Sequence, residues 1–369
     1  MDIKQKQPPF VPGLVLAEGF FHEEVEPILG SRYPGLQYSA ALIGMGSEVH
    51  GFDTEMSTDH HWGPRAMLFL HPDDFKSKRD AIWASLSNEL PTTYLGYSTN
   101  FSKHPEDNVQ ILRPVTSGPV NHQVETYTID GFFTDYLNID ISKGLQAADW
   151  LTLPHHRLRS VTSGRVFRDD IGLEKARTRL SWYPHDVWLY VLASAWARIG
   201  QEEPLMGRAG SVSDENGSAI IGSRLVRDIM RLAFLMEREY PPYPKWFGTA
   251  FSQLESAAEL EPILTNVLHA TSCKARETGL CDACNFLVKS HNSLGITAPI
   301  CAEASQFWGR PFQVIWGEKI AKTIVECIKD PEVVSLTKRR LIGSIDLLSD
   351  NTDLLEGASL RLALKALYT

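Results

Sequence analysis

The chain has 369 residues, of which 43% are hydrophobic and 22% charged, and its formal net charge at pH 7 is −9. This length is more than one ordinary hydrophobic core accommodates, so it predicts two domains. The acidic balance argues against a broad nucleic-acid-binding surface, which needs clustered Lys and Arg, but it is compatible with a small anionic ligand held by a few local cations.

Up to about residue 170 the sequence mixes helical and strand patterns. Apolar residues recur at helical spacing over 14–29, and residues 74–89 also look helical. Strands are predicted over 38–44, 65–71, 122–129 and 164–168.

Beyond about residue 171 the pattern is almost wholly helical. One helix begins at Pro184, and Gly200 is expected to end it. Further helices are predicted over 220–240, 251–269, 278–290, 317–328 and 354–367. The predicted fold class is therefore α+β, with a mixed sheet and helices over residues 1–145, followed by a helical bundle domain over residues 146–369.

Two further features predict a cytoplasmic protein without a membrane partner. The N-terminus lacks the charged-then-apolar layout of a signal peptide. The longest apolar stretch, residues 187–197, is about half of a membrane span, which needs roughly 20 residues.

The five cysteines do not suggest a disulfide framework, because their number is odd and the chain is long. Cys281 and Cys284 have the spacing of a metal-binding pair. Cys273 precedes this pair closely, and His291 follows it. A zinc ribbon needs a second close pair, which the sequence lacks. We therefore expect buried or half-buried thiols within a helix, with zinc or redox chemistry as the alternative.

The segment most informative about function runs from residue 42 to residue 70. A hydrophobic strand leads into the turn GMGS at residues 44–47, and eleven residues separate this turn from Asp59-His60-His61. A second apolar strand follows. Neither the dinucleotide-binding glycine pattern nor the Gly-Lys pair of a P-loop is present in this segment.

This arrangement resembles the nucleotidyltransferase superfamily, whose pattern is a hydrophobic residue, Gly, Gly or Ser, a short gap, and then two acids separated by one residue. A Gly-Ser turn presents backbone N–H groups and a hydroxyl to the terminal phosphates of a nucleotide. Two acids at i and i+2 of an extended segment point the same way and hold divalent ions during in-line attack. The resemblance implies that Gly46 and Ser47 bind phosphate and that Asp59 binds metal.

A closer resemblance, to the family DUF4037, covers nearly the whole chain. The matching stretches include GSEVHGFD, STDHHWGPR, RLSWYPHDVWLYVLASAWARIGQEEPLMGRAG, HNSLGIT, FWGRPFQVI and IGSIDLLSDNTDLL. The family is assigned to the nucleotidyltransferase fold. It therefore implies a nucleotidyltransferase-type sheet in residues 1–145 and a helical domain that closes over an acceptor.

One position departs from this resemblance, because related sequences usually read Asp-His-Asp where this chain has Asp59-His60-His61. A neutral imidazole is a good ligand for Mn²⁺, Fe²⁺ or Zn²⁺ but a poor one for Mg²⁺. Three interpretations follow: a transferase in which Asp59 and His61 bind an unusual metal, a transferase that relies on Asp53 or another acid, and a fold that has lost catalysis. The expected cofactor is a divalent metal, Mg²⁺ or Mn²⁺, with another transition metal as the alternative.

The superfamily also supplies a third carboxylate from a later strand, which binds metal or accepts the proton of the acceptor hydroxyl. Glu125 fits this role best, with Asp130 second and Asp169-Asp170 as a further alternative. The pattern around Glu125 is equally compatible with an ordinary exposed strand acid.

Several cationic side chains are candidates for binding the nucleotide or the acceptor. Arg65, at the start of the second strand, is a candidate phosphate ligand, and Lys245 is a candidate nucleotide ligand. The candidates for binding an acidic acceptor are Arg208, Arg224 and Arg227. For each of them an ordinary surface position is the alternative; for the helix arginines that alternative includes pairing with Asp228.

Three functions follow from these observations. The first is a metal-dependent nucleotidyltransferase that moves a nucleoside monophosphate from a nucleoside triphosphate, expected to be ATP, to a hydroxyl or amine of a small molecule. The second is a catalytically degenerate protein of the same fold that binds a nucleotide or regulates a partner. The third is a biosynthetic enzyme that uses Asp53, Asp59, His60 and His61 for other metal-assisted chemistry. In all three, nucleic acid is an unlikely partner.

Overall fold

The computed structural model describes residues 8–106, 109–301 and 303–369. The chain divides into two compact units. The first unit comprises the residues up to Lys143 together with Arg157–Ser181, and the second comprises Gly144–His156 together with Trp182–Thr369. Each unit is described by itself below.

The strands are short, and most of them lie in the first unit. They are β1 (Tyr38–Leu42), β2 (Arg65–Leu70), β3 (Thr93–Tyr94), β4 (Tyr97–Ser98), β5 (Phe101–Lys103), β6 (Gln110–Leu112), β7 (Gln123–Tyr127), β8 (Arg165–Asp169), β9 (Ser305–Gln306) and β10 (Gln313–Val314).

Helices are distributed along the whole chain. They are α1 (Gly13–Phe20), α2 (Glu26–Arg32), α3 (Pro72–Glu89), α4 (Ile129–Leu137), α5 (Ala147–Thr152), α6 (His155–Thr162), α7 (Leu173–Thr178), α8 (His185–Ser211), α9 (Glu215–Glu237), α10 (Phe247–Phe251), α11 (Ala257–His269), α12 (Cys273–Ser293), α13 (Gly317–Val325), α14 (Pro331–Thr337), α15 (Ile345–Leu348), α16 (Thr352–Glu356) and α17 (Arg361–Leu364). One π-helical turn (Phe21–Val25) joins α1 to α2, and short 3₁₀ turns occupy Glu48–His50, Glu55–Asp59, Pro244–Trp246, Ala358–Leu360 and Lys365–Leu367.

The four predicted strands form one mixed sheet with the order β7-β2-β1-β8. Strand β1 is antiparallel to both β2 and β8, whereas β2 is parallel to β7. The α+β class is therefore confirmed. Since β8 pairs with β1, the segment 157–181 folds with the first unit, although it follows residue 145 in the chain.

The two faces of this sheet pack differently. Alternate residues of β1, β2 and β7, among them Ala40, Leu68 and Val124, pack against the N-terminal helices and α3 in the main core of the unit. On the opposite face, Phe69 makes an edge contact with Phe132 of α4, with ring centroids 5.6 Å apart. The sheet is thus covered on both faces, which fixes its register.

In the second unit, the long helix α8 packs against α9 and α13. Its buried tryptophans fill the core, and Trp188 Nε1 donates a hydrogen bond of 2.8 Å to the carbonyl of Leu235 in α9. The prediction that Gly200 ends this helix is wrong. Gly200 lies inside α8, where its missing side chain allows the backbone of α13 to approach closely. A Cβ at Gly200 would lie 2.5 Å from the amide nitrogen of Glu318 in α13.

The predicted C-terminal helix over 354–367 is also wrong, since this segment consists of α16, α17 and two 3₁₀ turns. The apolar spacing is present, but Gly357 interrupts the run and leaves the fragments shorter than an independent helix needs. The predicted helices over 220–240 and 278–290 are found as α9 and α12. Among the described residues, none of the helices combines the length and the apolar composition that a bilayer crossing requires.

The closely spaced cysteines lie in α12, as predicted. Burial raises the pKa of Cys281 to about 12 and also raises that of Cys284 well above its ordinary value. Neither thiol therefore ionises near neutral pH, and nucleophilic or redox chemistry, which needs the thiolate, is not favoured.

Glu203 of α8 fixes the chain that enters α13. Its carboxylate accepts hydrogen bonds from the amides of Ile315 (2.6 Å) and Gly317 (3.2 Å). Burial raises the pKa of Glu203 to about 7, although these backbone hydrogen bonds favour the ionised form.

We predict that replacing Gly164 with Ala destabilises the first unit. Gly164 has φ +74°, and a Cβ there would lie 2.1 Å from the carbonyl oxygen of Leu42 at the end of β1. The matched control is Gly35→Ala, which also has a positive φ (+82°) but nothing within 4 Å of the added carbon. Both variants carry the backbone cost of roughly 1–2 kcal/mol. In urea denaturation, Gly164→Ala should lose about 1–3 kcal/mol more; equal losses would contradict the geometry.

We also predict that Glu203→Gln flattens the pH dependence of stability. The pKa of Glu203 is raised on folding, so the native state binds more protons than the unfolded chain between pH 4.5 and 7 and loses stability as the pH rises through this window. Relative to Glu203→Gln, the wild type should gain on the order of 3 kcal/mol as the pH falls through the window. The control is Glu326→Gln, an exposed carboxylate, which should behave as wild type in the same denaturation series. A parallel pH dependence of wild type and Glu203→Gln would show that Glu203 is not buried as described.

Candidate functional site

The glycine turn of residues 44–47 connects β1 to the long loop that precedes β2. Gly44 and Gly46 have φ values of +84° and +132°, which side-chain-bearing residues rarely adopt. The amide of Gly44 donates a hydrogen bond of 2.9 Å to the carbonyl of Ser160. Because β1 and β2 are antiparallel, the turn after β1 lies beside Arg65, the first residue of β2.

A buried ion pair fixes this turn. Glu48 is 2% exposed, and its Oε1 lies 2.8 Å from Nε and 2.6 Å from Nη2 of Arg65. The same Nη2 donates a hydrogen bond of 2.7 Å to the carbonyl of Met45. A Cβ at Gly46 would lie 2.4 Å from this nitrogen and 2.6 Å from Oε2 of Glu48, so only glycine fits. Glu48 was not singled out from the sequence, where it reads as an ordinary polar loop residue.

Several donors at the turn are left without a partner. Within the part of the chain that the structure describes, the amides of Gly46 and Ser47 and the hydroxyl of Ser47 make no hydrogen bond. The Nη1 group of Arg65 is likewise unpaired among these residues, and its side chain is 18% exposed. Gly46, Ser47 and Arg65, which the sequence nominated for binding a nucleotide, are therefore brought together.

Asp53 performs a structural task at the start of α1. Its Oδ2 accepts hydrogen bonds from the amide of Gly13 (2.6 Å) and from Nε1 of Trp62 (3.0 Å). A carboxylate at a helix N-terminus is stabilised by the free amides and the helix dipole. Gly13 is required there, since a Cβ would lie 2.5 Å from Trp62 Nε1.

The proposed metal-binding role of Asp59-His60-His61 requires an extended segment. This segment is not extended over its whole length. Asp59 closes the 3₁₀ turn Glu55–Asp59, His60 is extended, and His61 has φ +48° in the left-handed region. Oδ1 of Asp59 lies 2.9 Å from Nδ1 of His60. Asp59 and Glu55 line a groove of about 1100 Å³, whose described lining contains neither the glycine turn nor Arg65.

His61 is half-buried near charged side chains of both signs. Burial lowers the pKa of His61, and the charges of Arg65 and His60 lower it further, whereas Glu125 and Glu48 act in the opposite direction. The imidazole is consequently neutral at neutral pH.

Glu125 lies on the sheet face that Arg65 also occupies. In the parallel pair β2–β7, Arg65 is opposite Gln123 and Met67 is opposite Glu125. Glu125 therefore lies on the same face as Arg65, two residues beyond the partner of Arg65. The carboxylate is exposed, and its Oε2 accepts a hydrogen bond of 2.7 Å from Tyr127.

The alternative carboxylates are differently placed. Asp130 is exposed in the first turn of α4. Asp169 ends β8, where it accepts hydrogen bonds from Ser39 and from the amides of residues 172–174. Burial alone would raise the pKa of Asp169, but these hydrogen bonds hold it below its ordinary value. Asp169 thus fixes the turn into α7.

The nominated cations of residues 208–245 belong to the second unit and have local partners or open surroundings. Arg224 pairs with Glu202, and Arg227 pairs with Asp350 at 2.6 Å. Lys245 lies 4.3 Å from the ring centre of Trp246. The remaining candidate, Arg208, is exposed near the end of α8. Asp228, the expected partner of the helix arginines, is bound mainly by Arg198, at 2.8 Å.

The residues nominated for a divalent metal do not fit one ion as they stand. Among the described residues, no three His, Cys, Asp or Glu side chains are grouped so that they could hold a metal ion. Asp53 is engaged at α1, Asp59 lines the groove with Glu55, and the guanidinium of Arg65 already supplies a positive charge beside His61. The metal roles of Asp53, Asp59 and His61 therefore stay sequence predictions without a matching geometry.

The fold and the turn define an α+β protein with a glycine-containing turn between two antiparallel strands, and the comparisons add a family match. The model of the family described as "Domain of unknown function (DUF4037)" matches residues 150–247. The resemblance to this family is confirmed over those residues, which do not include the glycine turn.

Among solved structures, the chain is similar to a nucleotidyltransferase-like protein from Exiguobacterium sibiricum 255-15. The two share 11% sequence identity with a TM-score of 0.33, over 75% of this chain and 78% of that chain. This likeness is too low to assign an activity. No curated protein matches the chain.

We predict that Arg65→Gln raises the pKa of His61, because it removes one of the positive charges that lower it. The measurement is an NMR pH titration of the histidine ring resonances, with circular dichroism to confirm folding. Arg32→Gln is the control, since Arg32 pairs with Glu89 on an exposed surface and does not act on His61. An unchanged or lower pKa in Arg65→Gln would contradict the arrangement of this site.

Proposed function

We propose that the protein binds the phosphate groups of a nucleotide at the glycine turn, and that it acts as a nucleotide-binding or regulatory protein related in fold to nucleotidyltransferases. The observation that carries the proposal is the set of unpaired donors at Gly46 and Ser47, beside Nη1 of Arg65. Backbone amides that converge in a turn form a concave site for an anion.

The geometry of Gly46 supports phosphate as the ligand. A glycine without a Cβ leaves its amide open to close approach, and the turn is held rigidly by the Glu48–Arg65 pair. A preformed arrangement of donors binds with a smaller ordering cost than a flexible loop.

The local charge favours a small ligand. Arg65 is neutralised by Glu48, and His61 is neutral at neutral pH. A phosphate at the turn would consequently be held by directed hydrogen bonds more than by net charge. That fits a compact nucleotide better than a polynucleotide, which needs many cations.

A transferase is the second candidate, and the position of Glu125 is the observation that favours it. Its exposed carboxylate lies on the same sheet face as Arg65, and the hydrogen bond from Tyr127 orients it. In this case Glu125 would accept the proton of an acceptor hydroxyl or amine as the acceptor bonds to the α-phosphorus and the bond from that phosphorus to the leaving pyrophosphate breaks. The acceptor would be a small molecule, and ATP the expected donor.

We predict that Gly46→Ala weakens nucleotide binding at least tenfold, since the added carbon displaces Arg65 and Glu48 from the turn. The control is Gly51→Ala in the same loop, which has φ +70° but nothing within 4 Å of the new carbon, and which should bind as wild type. Binding is measured by calorimetric titration of ATP, GTP, CTP and UTP into the protein, with EDTA and then with Mg²⁺ or Mn²⁺.

The outcomes separate the candidates. Binding in EDTA that Gly46→Ala abolishes and Asp59→Ala leaves intact supports the nucleotide-binding protein. Metal-dependent binding that Asp59→Ala abolishes, with steady release of pyrophosphate that Glu125→Gln removes, supports the transferase. If wild-type protein binds no nucleotide under any of these conditions, the proposal is wrong.

A further inference from the structure

Phe307 and Trp308, in the loop between β9 and β10, form an aromatic platform together with Trp316, which follows β10. Trp308 is 76% exposed, an unusual position for the largest apolar side chain. Its ring stands edge-on to that of Trp316, with centroids 5.4 Å apart and an interplanar angle of 85°. Phe307 packs beside Trp316 with centroids 5.5 Å apart.

Both tryptophans have a backbone conformation that disfavours them. Trp308 has φ +47° and Trp316 has φ +61°, in the left-handed region where Cβ crowds the backbone. Left-handed bulky residues persist only where the surrounding structure determines them, and they cluster at functional sites.

Two carboxylates from neighbouring helices, the half-buried Glu203 and the buried Glu277, hold β10 and the residues that follow it. Glu203 accepts hydrogen bonds from the amides on both sides of Trp316, those of Ile315 and Gly317. Glu277 of α12, which is 4% exposed, accepts one of 3.0 Å from the amide of Gln313 at the start of β10. Burying carboxylates is costly unless they are hydrogen-bonded. These hydrogen bonds therefore fix the backbone that carries Trp316.

Two exposed cations accompany the aromatic rings. Nζ of Lys319 lies 3.9 Å from the ring centre of Trp316, and the guanidinium of Arg310 lies 5.5 Å from that of Phe307. These cations cover Trp316 and Phe307, whereas most of Trp308 is open to solvent. The acid nearest to Trp316 in sequence, Glu318, is exposed, and a Cβ at Gly200 of α8 would lie 3.0 Å from its Cγ.

We propose that this platform binds a nucleobase that carries a phosphate, with the base stacked on Trp308 and the phosphate bound by Arg310 and Lys319. Every nucleobase has a π-face that stacks on an aromatic ring, and phosphate is the anion that Arg and Lys bind. A neutral sugar has no charged group for these cations to bind. An apolar protein segment would cover the cations without pairing them. The ligand is either a free nucleotide or an unpaired nucleotide of a single strand. The platform lies in the second unit and does not depend on phosphate binding at the glycine turn.

The test uses the full chain labelled with 5-fluorotryptophan, so that the ¹⁹F signal of Trp308, assigned from Trp308→Phe, reports on this residue alone. The ligands are AMP, a single-stranded dodecanucleotide, and ribose 5-phosphate, which lacks a base. Affinity is measured in parallel for Trp308→Phe, Trp308→Leu and Arg310→Gln. Phe and Leu share the same backbone constraint at this position, but only Phe has a stacking face. Gly46→Ala is included to exclude the glycine turn.

We expect AMP or the dodecanucleotide to shift the Trp308 signal in wild type and equally in Gly46→Ala. Trp308→Leu should weaken the binding of that ligand roughly tenfold, while Trp308→Phe stays within about threefold. Arg310→Gln should weaken it less at high salt than at low salt. A response to AMP identifies a free nucleotide, and a response to the dodecanucleotide alone identifies a strand.

Two results would overturn the inference. One is a Trp308 signal that neither AMP nor the dodecanucleotide moves; the other is a shift that ribose 5-phosphate reproduces in full, because the base would then contribute nothing. If the signal shifts while Gly46→Ala leaves all nucleotide binding unchanged, the platform stands and the function proposed for the glycine turn falls. If the Trp308 signal does not shift but Gly46→Ala abolishes nucleotide binding, the function proposed for the glycine turn stands and the platform proposal falls.

Discussion

The buried ion pair between Glu48 and Arg65 is the interaction on which the geometry of the first unit's site depends. Removing a charged side chain from water costs roughly several kcal/mol per ion. The attraction within the pair offsets this cost only if its geometry and hydrogen bonds are nearly complete. Here Arg65 adds a bond to the carbonyl of Met45, so the guanidinium joins β2 to the turn that follows β1. This arrangement leaves no room for a side chain at Gly46. One pair thereby determines the residue type at position 46 and joins the turn to β2.

The second unit uses the half-buried Glu203 and the buried Glu277 in a comparable way, but their partners are backbone amides. Glu203 holds the residues on both sides of Trp316, and Glu277 holds the strand before it. Close backbone contact between α8 and α13 at Gly200 and Gly317 brings Glu203 within reach, since a Cβ at Gly317 would lie 2.3 Å from the carbonyl of Trp196. In both units a carboxylate organises a loop, and small residues make the necessary space.

Periodicity in the sequence was sufficient to predict the strands of the mixed sheet and most of the long helices, because both depend on burying an apolar face. It failed at Gly200, where a packing contact with Glu318 of α13 overrides the local stop signal. These two residues are distant in sequence, so the local pattern does not reveal their contact. The C-terminal segment failed for the opposite reason: its spacing is helical, but Gly357 breaks the run. At the site, Gly46, Ser47 and Arg65 were predictable from a local pattern. Glu48 was not, because its importance arises only from burial.

The Asp59-His60-His61 segment shows why spacing alone does not establish a metal site. The prediction assumed an extended segment, in which residues i and i+2 project to the same side. Asp59 instead ends a 3₁₀ turn, and the left-handed conformation of His61 changes the direction of the chain before β2 begins. The side chain of Asp59 consequently lines the groove with Glu55, while His61 is placed near the guanidinium of Arg65. A cation that lies beside the imidazole opposes a second positive charge there, because the like-charge repulsion is only weakly screened in a half-buried position. Because Glu48 pairs with this guanidinium, the case for a phosphate at the neighbouring amides rests on their free hydrogen-bonding capacity rather than on net charge.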